Sequence, residues 1–416
     1  MKPLLINTND SYGGAAIAAY RLHQALQQIG VDSRMLVQHK NTCDDTVIGP
    51  RPGIEEKLSG FRSYVNRHLF YLYPKRDKNV IWSINAFPHR IAMKINSLDP
   101  DIVHMHWISS SIVPISEIPK IEKPIVWTLH DMWAFTGGCH YSGECTRYKQ
   151  QCGRCPQLGS HTMNDISSFV WKRKVASWKN TNLVLVCPSK WLAECAKQST
   201  LFKNRPIQVI PNGLDTSQFR PYDKIAARSH FSLPQDKKLI LFGAFNATTD
   251  KRKGFHLLKE SLKIFSEEDD GNNTDLVLFG NSQENEIFHL KMKTHSLGRI
   301  PDASLPLLYS AADVFIAPSL EENLSNTVME SMACGTPVAA FNIGGMQDMI
   351  DHKHNGYLAE PFDCQDFAGG IIWILNDEDQ RLLLSEASRK KVELEYESTH
   401  IARQYLDIYE KILNIK

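Results

Sequence analysis

Residues 317–345 read APSLEENLSNTVMESMACGTPVAAFNIGG. The apolar run over 312–318 predicts a buried strand that ends at Pro318-Ser319. A polar loop with Glu321 and Glu322 follows, and a helix is expected to begin near Ser325–Thr327 and to carry Glu330. Glu322 then precedes the helix, and Glu330 stands one turn inside it. Between them, the unsatisfied N–H groups of the helix start form an anion site. Two carboxylates flanking such a site suit a ligand with hydroxyls on both sides of its phosphates, the shape of a nucleotide diphosphate sugar. Taken singly, such a glutamate pair is more often a pair of surface or capping groups. The pattern around them favours the ligand.

The same strand-to-helix alternation runs through the chain. Strands are expected at 3–7, 33–38, 101–107, 125–130, 183–188 and 207–210, then at 238–245, 275–280, 312–318 and 337–342. Most are continuous apolar runs, as required of strands covered on both faces. The stretch GGAAIAAYRLHQALQQIG, residues 13–30, has helical apolar spacing and a stop at Gly30. Further helices are expected near 255–266, 304–311, 327–334 and 364–375. This alternation predicts an α/β protein with doubly wound parallel sheets. The segment 211–234 has three prolines, turn chemistry and no apolar strand, and reads as a hinge. The expected division is a first Rossmann-like domain over 1–212, a second over 213–395, and an amphipathic helix over 396–416 that packs back on the first. A cleft lined by the C-terminal strand ends of both sheets is the expected ligand site.

Composition narrows the function. With 416 residues, two domains are the natural expectation. Lys and Arg total 47 against 46 Asp and Glu, which argues against a nucleic-acid partner. No apolar run is long enough to span a membrane, and MKPLLINTND lacks the apolar stretch of an export signal. The cytoplasm is therefore expected, with disulfides disfavoured. Asn246-Ala247-Thr248 matches a glycosylation pattern that a cytoplasmic chain would not use.

Other segments add chemistry. FGAFNATTDKRKGFHLL, residues 242–258, places Lys251, Arg252, Lys253 and Gly254 just before a helix, where cations can neutralise a leaving diphosphate. A solvated basic loop is the alternative. Gly13-Gly14 lies between the first strand and helix, where backbone can approach a ligand; Gly14 is a candidate donor contact. His130-Asp131 ends the strand IVWTLH, from which His130 can hydrogen-bond a sugar or stabilise nearby charge; the alternative is a histidine packed under the next loop. His104 and His106 end the preceding strand, where structural roles are favoured over lining an acceptor. Cys139, Cys145, Cys152 and Cys155 form C-x5-C-x6-C-x2-C, which fits a closed structural zinc site as well as free thiols or reversible disulfides. GFRSYVNRHLFYLYPKRDK, residues 60–78, fits either a peripheral membrane contact or a core helix with snorkelling cations.

Residues 317–345 resemble the E-x7-E region of the retaining glycosyltransferases of family four, which have the GT-B fold. The resemblance covers nearly the whole chain. Ile210–Asp215 is similar to that family's IPNGVD hinge; Tyr309, Ala312 and Asp313 are similar to its Y-x-x-AD strand entry; Ala333–Val338, Gly344-Gly345 and Asn355–Tyr357 continue the pattern. The Cys-rich segment is similar to one in exopolysaccharide transferases of the colanic acid type. The resemblance implies that Glu330 holds the ribose hydroxyls, that Glu322 contacts the donor sugar, and that the amides of Ser325, Asn326 and Thr327 meet the phosphates. It also implies an active-site role for His130 and a phosphate role for Lys253. The sequence departs from the family at Ser325, often Gly, at Asp348, often Glu, and at Ala244, usually Arg. The expected activity is transfer of a hexose-type sugar from UDP or GDP to a glycan or polyprenyl-linked acceptor of bacterial surface polysaccharide, without a catalytic metal. The location is cytoplasmic or peripheral at the inner face of the plasma membrane. The alternatives are a nucleotide-sugar 2-epimerase of the same fold and a zinc-organised binding module.

Overall fold

The computed structural model describes residues 1–415 except 52, 54, 56, 59, 63, 65–68, 86, 88, 244–249, 269–272 and 281–291. Ala244 and the Asn246-Ala247-Thr248 tripeptide lie outside the described residues, as do parts of 60–78. The chain forms two compact units. One comprises Met1–Gly213 with Thr399–Lys416, and the other Leu214–Ser398.

The first unit is built on a seven-stranded parallel sheet. Its strands are β1 (Pro3–Asn9), β2 (Arg34–His39), β3 (Val47–Ile48), β4 (Ile102–Met105), β5 (Ile125–Thr128), β6 (Leu183–Cys187) and β7 (Ile207–Val209), in the order β3-β2-β1-β4-β5-β6-β7. Alternate side chains serve opposite faces. Leu4, Ile6, Val103, Met105 and Trp127 enter one core. Leu5, Val126 and Val186 enter the other, beneath the Gly14–Gln28 helix and the Ser398–Leu413 helix, whose Tyr405 and Tyr409 are buried there.

The second unit carries β8 (Lys238–Gly243), β9 (Thr274–Phe279), β10 (Thr294–Ser296), β11 (Val314–Ala317), β12 (Val338–Phe341) and β13 (Gly356–Ala359), in the order β10-β9-β8-β11-β12-β13. Leu239, Leu241, Phe315 and Val338 face one core, while Ile240, Ile316, Ala339 and Phe341 face the other. Both sheets are parallel with helices between strands, the α/β doubly wound architecture that the alternation predicts.

Three strands escape the sequence reading: β3 has two residues, β10 reads THS, and β13 opens with glycine. These are edge strands, and such short or polar runs carry little apolar signal. The Glu378–Glu395 helix was also not anticipated; it buries only Leu384, Ser388 and Val392 among its residues. In each sheet the order reverses once, between β1 and β4 and between β8 and β11. The loops leaving those strands diverge there and open a crevice at the C-terminal edge.

Candidate active site

In the second unit the loops after β8 and β11 meet at the reversal point. Lys251–Lys253 forms a short 3-10 turn, and Gly254 follows at φ +72°. A β-carbon there would lie 1.7 Å from the Pro318 carbonyl oxygen, so only glycine lets this turn rest on the loop after β11. The Leu320 amide donates to the Arg252 carbonyl (2.8 Å), and the Arg252 guanidinium donates to the Glu321 carbonyl (3.1 Å). Lys253 Nζ then reaches Glu322 Oε2 at 2.7 Å, and Arg252 lies 3.9 Å from the same carboxylate. Asp250 also pairs with Arg252 at 2.9 Å, which spends part of that charge. Lys251 is exposed at the start of the turn.

Glu322 is only 7% exposed. Burial pushes its pKa up, but Lys253 and then Arg252 outweigh that and hold it below the usual carboxylate range. Behind it, Gly344 at φ +52° packs where a β-carbon would lie 2.1 Å from the Glu322 carbonyl oxygen, and the Gly345 amide donates to that oxygen at 3.0 Å. The glycine pair thus fixes the backbone that carries Glu322.

Ser325 caps the Asn326–Ala333 helix with φ −80° and ψ 116°, its Oγ accepting from the Val328 amide. The backbone there is extended, so serine serves where the family often has glycine. Thr327 Oγ1 and Ser325 Oγ share a hydrogen bond of 3.1 Å beside Asn326 at the helix start. Glu330 is 4% exposed and accepts from the Tyr309 hydroxyl at 2.9 Å. Tyr309 is wedged edge-on between Phe279 and Phe315, which fixes its direction. In the sequence Tyr309 stands out only through the family resemblance, since its contact with Glu330 depends on two helices packing. Asp313 has a structural role: Lys224, Arg228 and Arg381 each contact it at 2.7 Å, and it accepts from the Leu239 amide.

In the first unit Gly13 has φ +93° and precedes the Gly14–Gln28 helix, with Gly14 exposed at its first position. His106, Trp107 and His130 follow β4 and β5. His106 Nδ1 and His130 Nε2 share a hydrogen bond of 3.0 Å, with rings 5.3 Å apart and stacked. Burial pushes His130 down to about 4 against the opposing pull of Asp131, so its imidazole is neutral at pH 7. His106 falls well below its ordinary range for the same reason, followed by its histidine neighbours. His104 is held between Tyr409 (2.6 Å) and Thr128 (2.8 Å), a structural role.

Asp131 organises the surroundings of His130. It accepts from the Trp107 indole at 2.8 Å and from the Trp133 amide at 2.8 Å, and pairs with His140 Nδ1 at 2.6 Å. His140 in turn meets Ser83 Oγ at 2.9 Å. The sequence reading missed His140. It stands inside the segment read for its cysteines, and an available signal was a polar residue beside the loop that His130 begins.

The family described as Glycosyltransferase Family 4 matches residues 12–218, and that described as Glycosyl transferases group 1 matches residues 223–391. The chain belongs to glycosyltransferase family 4. This glycosyltransferase is 24% identical over 331 residues to an uncharacterized glycosyltransferase of Methanocaldococcus jannaschii, covering 74% of this chain and 82% of the relative. It is 23% identical to a D-inositol 3-phosphate glycosyltransferase of Pseudarthrobacter chlorophenolicus, covering 90% and 85% of the two chains. Among solved structures it resembles a sucrose-phosphate synthase of Thermosynechococcus elongatus (TM-score 0.70, 20% identity, 100% of both chains). It also resembles HepE of Anabaena in complex with UDP-glucose (TM-score 0.67, 15% identity, 99% of this chain and 100% of HepE). These likenesses establish the GT-B fold.

Among the described residues, no group of three or more His, Cys, Asp or Glu is placed to hold a metal ion. The thiols of Cys145, Cys152 and Cys155 oppose ionisation of Cys139, and all four are free thiols. Burial pushes Cys139 well up and Cys152 to about 12. The Cys152 sulfur accepts from the Gly137 amide at 3.1 Å, and the Cys155 amide donates to Asp165 at 2.8 Å. The same segment supplies His140.

Proposed function

We propose that this enzyme is a retaining glycosyltransferase that moves a hexose-type sugar from a nucleotide diphosphate to a glycan or polyprenyl-linked glycan of bacterial surface polysaccharide. The observation that carries the reading is the buried Glu322, ion-paired to Lys253, ahead of a helix start that leads to Glu330. A carboxylate, a cation, amide dipoles and a second carboxylate occur in the order that a donor sugar, its diphosphate and its ribose require. HepE of Anabaena, of like fold, holds UDP-glucose, which favours UDP over GDP as the nucleotide.

In the proposed reaction the bond from the anomeric carbon to the β-phosphate oxygen breaks, and the acceptor oxygen bonds to that carbon on the same face. The acceptor's proton passes to the departing phosphate. Lys253 and the amides at Ser325–Thr327 stabilise the charge that develops on the diphosphate. Glu322 is already engaged by Lys253, which suits contact with sugar hydroxyls better than nucleophilic attack. His130 in the first unit is neutral at pH 7, so it can share a hydrogen bond with a sugar hydroxyl without adding charge.

Among the described residues no helix is long and apolar enough to cross a membrane. Exposed Phe61, Tyr64, Tyr71 and Leu72 near Lys57 and Lys75 support a peripheral contact with an anionic membrane, where a polyprenyl-linked acceptor resides. Thermal-shift titration with UDP, GDP and ADP tests the donor reading, because a ligand of the native state raises the melting temperature. A rise with UDP is expected; no rise with any of the three overturns it.

A further inference from the structure

The first unit contains a cavity of about 360 Å³ that the donor reading does not use. Its size lies at the lower end of small-molecule sites, roughly 300–1,000 Å³. Arg76, Asp77, Lys78, Trp82, Ser83 and Trp107 are among its walls. Two of these touch the surroundings of His130 directly. The Trp107 indole donates to Asp131, and Ser83 Oγ meets His140. The cavity therefore sits against the same Asp131–His140 pair that borders His130.

Its lining has a definite chemistry. Trp82 and Trp107 supply aromatic surface for the C–H face of a sugar ring. Arg76 is steadied by the Tyr71 ring at 4.9 Å, and Lys78 is exposed beside it. The carboxylate facing these cations is Asp77, one oxygen of which accepts from the Asn79 amide at 2.9 Å, so the local charge is positive. Two lining residues also carry buried polar atoms without a partner, Trp82 Nε1 and Gln157 Oε1.

We infer that this cavity is the acceptor subsite, and that it takes a pyranose bearing an anionic group, carboxylate or phosphate. The inference rests on the glycosyl-transfer reading above and names the class of acceptor. The ring lies against the indoles, the anion pairs with Arg76 and Lys78, and a hydroxyl is presented beside His130.

The test is calorimetric titration of the full chain, saturated with UDP to fill the phosphate site of the second unit, with glucose, glucuronic acid and glucose 1-phosphate. At least one anionic sugar is expected to bind more tightly than glucose, and which one does so identifies the anion. The Arg76→Ala/Lys78→Ala variant is expected to weaken that probe by about tenfold or more, leaving UDP affinity unchanged. Equal binding of all three sugars, no binding of any, or an unaltered affinity in the variant overturns the subsite. UDP binding by the wild type separates the two readings. Binding of UDP without any sugar removes the subsite alone, whereas loss of UDP binding as well removes the donor site.

Discussion

Glu330→Gln isolates one hydrogen bond in the donor site. Glu330 is buried and already accepts from the Tyr309 hydroxyl at 2.9 Å. Glutamine keeps a carbonyl oxygen for Tyr309 and nearly the same volume, so the fold should tolerate it. What is lost is the negative charge and one acceptor for the ribose. A hydrogen bond to a charged group contributes about 1.5–3 kcal/mol, so UDP affinity should fall roughly ten- to a hundredfold. Calorimetry with UDP and its 2′,3′-dideoxyribose analogue completes a cycle. The wild type should lose a similar factor when the ribose hydroxyls are removed, and the variant should lose little more. Wild-type affinity for UDP in a variant of unchanged melting temperature would refute the ribose contact. Equal discrimination against the analogue by both proteins would refute it too, because the hydroxyls would then be held elsewhere.

Lys253→Ala should lower kcat by about 10²–10³-fold, the size of an electrostatic group facing the leaving phosphate; an unchanged kcat in steady-state assays would remove it from that role. His130→Ala should reduce turnover while UDP affinity, measured by calorimetry, stays unchanged; weakened UDP binding with full turnover would contradict the assignment. Gly254→Ala should cost about 1–3 kcal/mol in denaturant unfolding, because the new β-carbon meets the Pro318 carbonyl and the residue sits at φ +72°. A variant as stable as wild type would show that this loop contact is absent. Acid should destabilise the first unit before its carboxylates titrate. Burial depresses His23 to about 4 from 6.5, so below pH 6.5 the unfolded chain takes up the proton first. The stability is fully present above pH 6.5 and is lost as pH falls towards 4. For His23 alone the loss at pH 5 is about 2 kcal/mol. A flat unfolding free energy between pH 6.5 and 4.5 would contradict its buried, neutral state.

The strands nearest the sheet centres were legible because they are buried on both faces and read as unbroken apolar runs. The helix start at Ser325 was legible because a cap and its helix are adjacent in sequence. Those local signals were enough to fix the fold class and to select Glu322 and Glu330. They could not show that Glu322 is neutralised by Lys253, 69 positions away, or that Gly254 exists to let the two loops touch. Nor could they give His140 its place against Asp131. The C-x5-C-x6-C-x2-C spacing fits a metal site as well as free thiols, because spacing along a chain does not set the directions of four thiols.

The alternation of apolar runs with amphipathic ones determined two parallel sheets, since burial on both faces is written residue by residue. Which side chains meet at the sheet edges was decided only in three dimensions, by where each strand order reverses. Ion pairs and hydrogen bonds at such points join loops that share no local pattern, and short-range propensity carries no record of them.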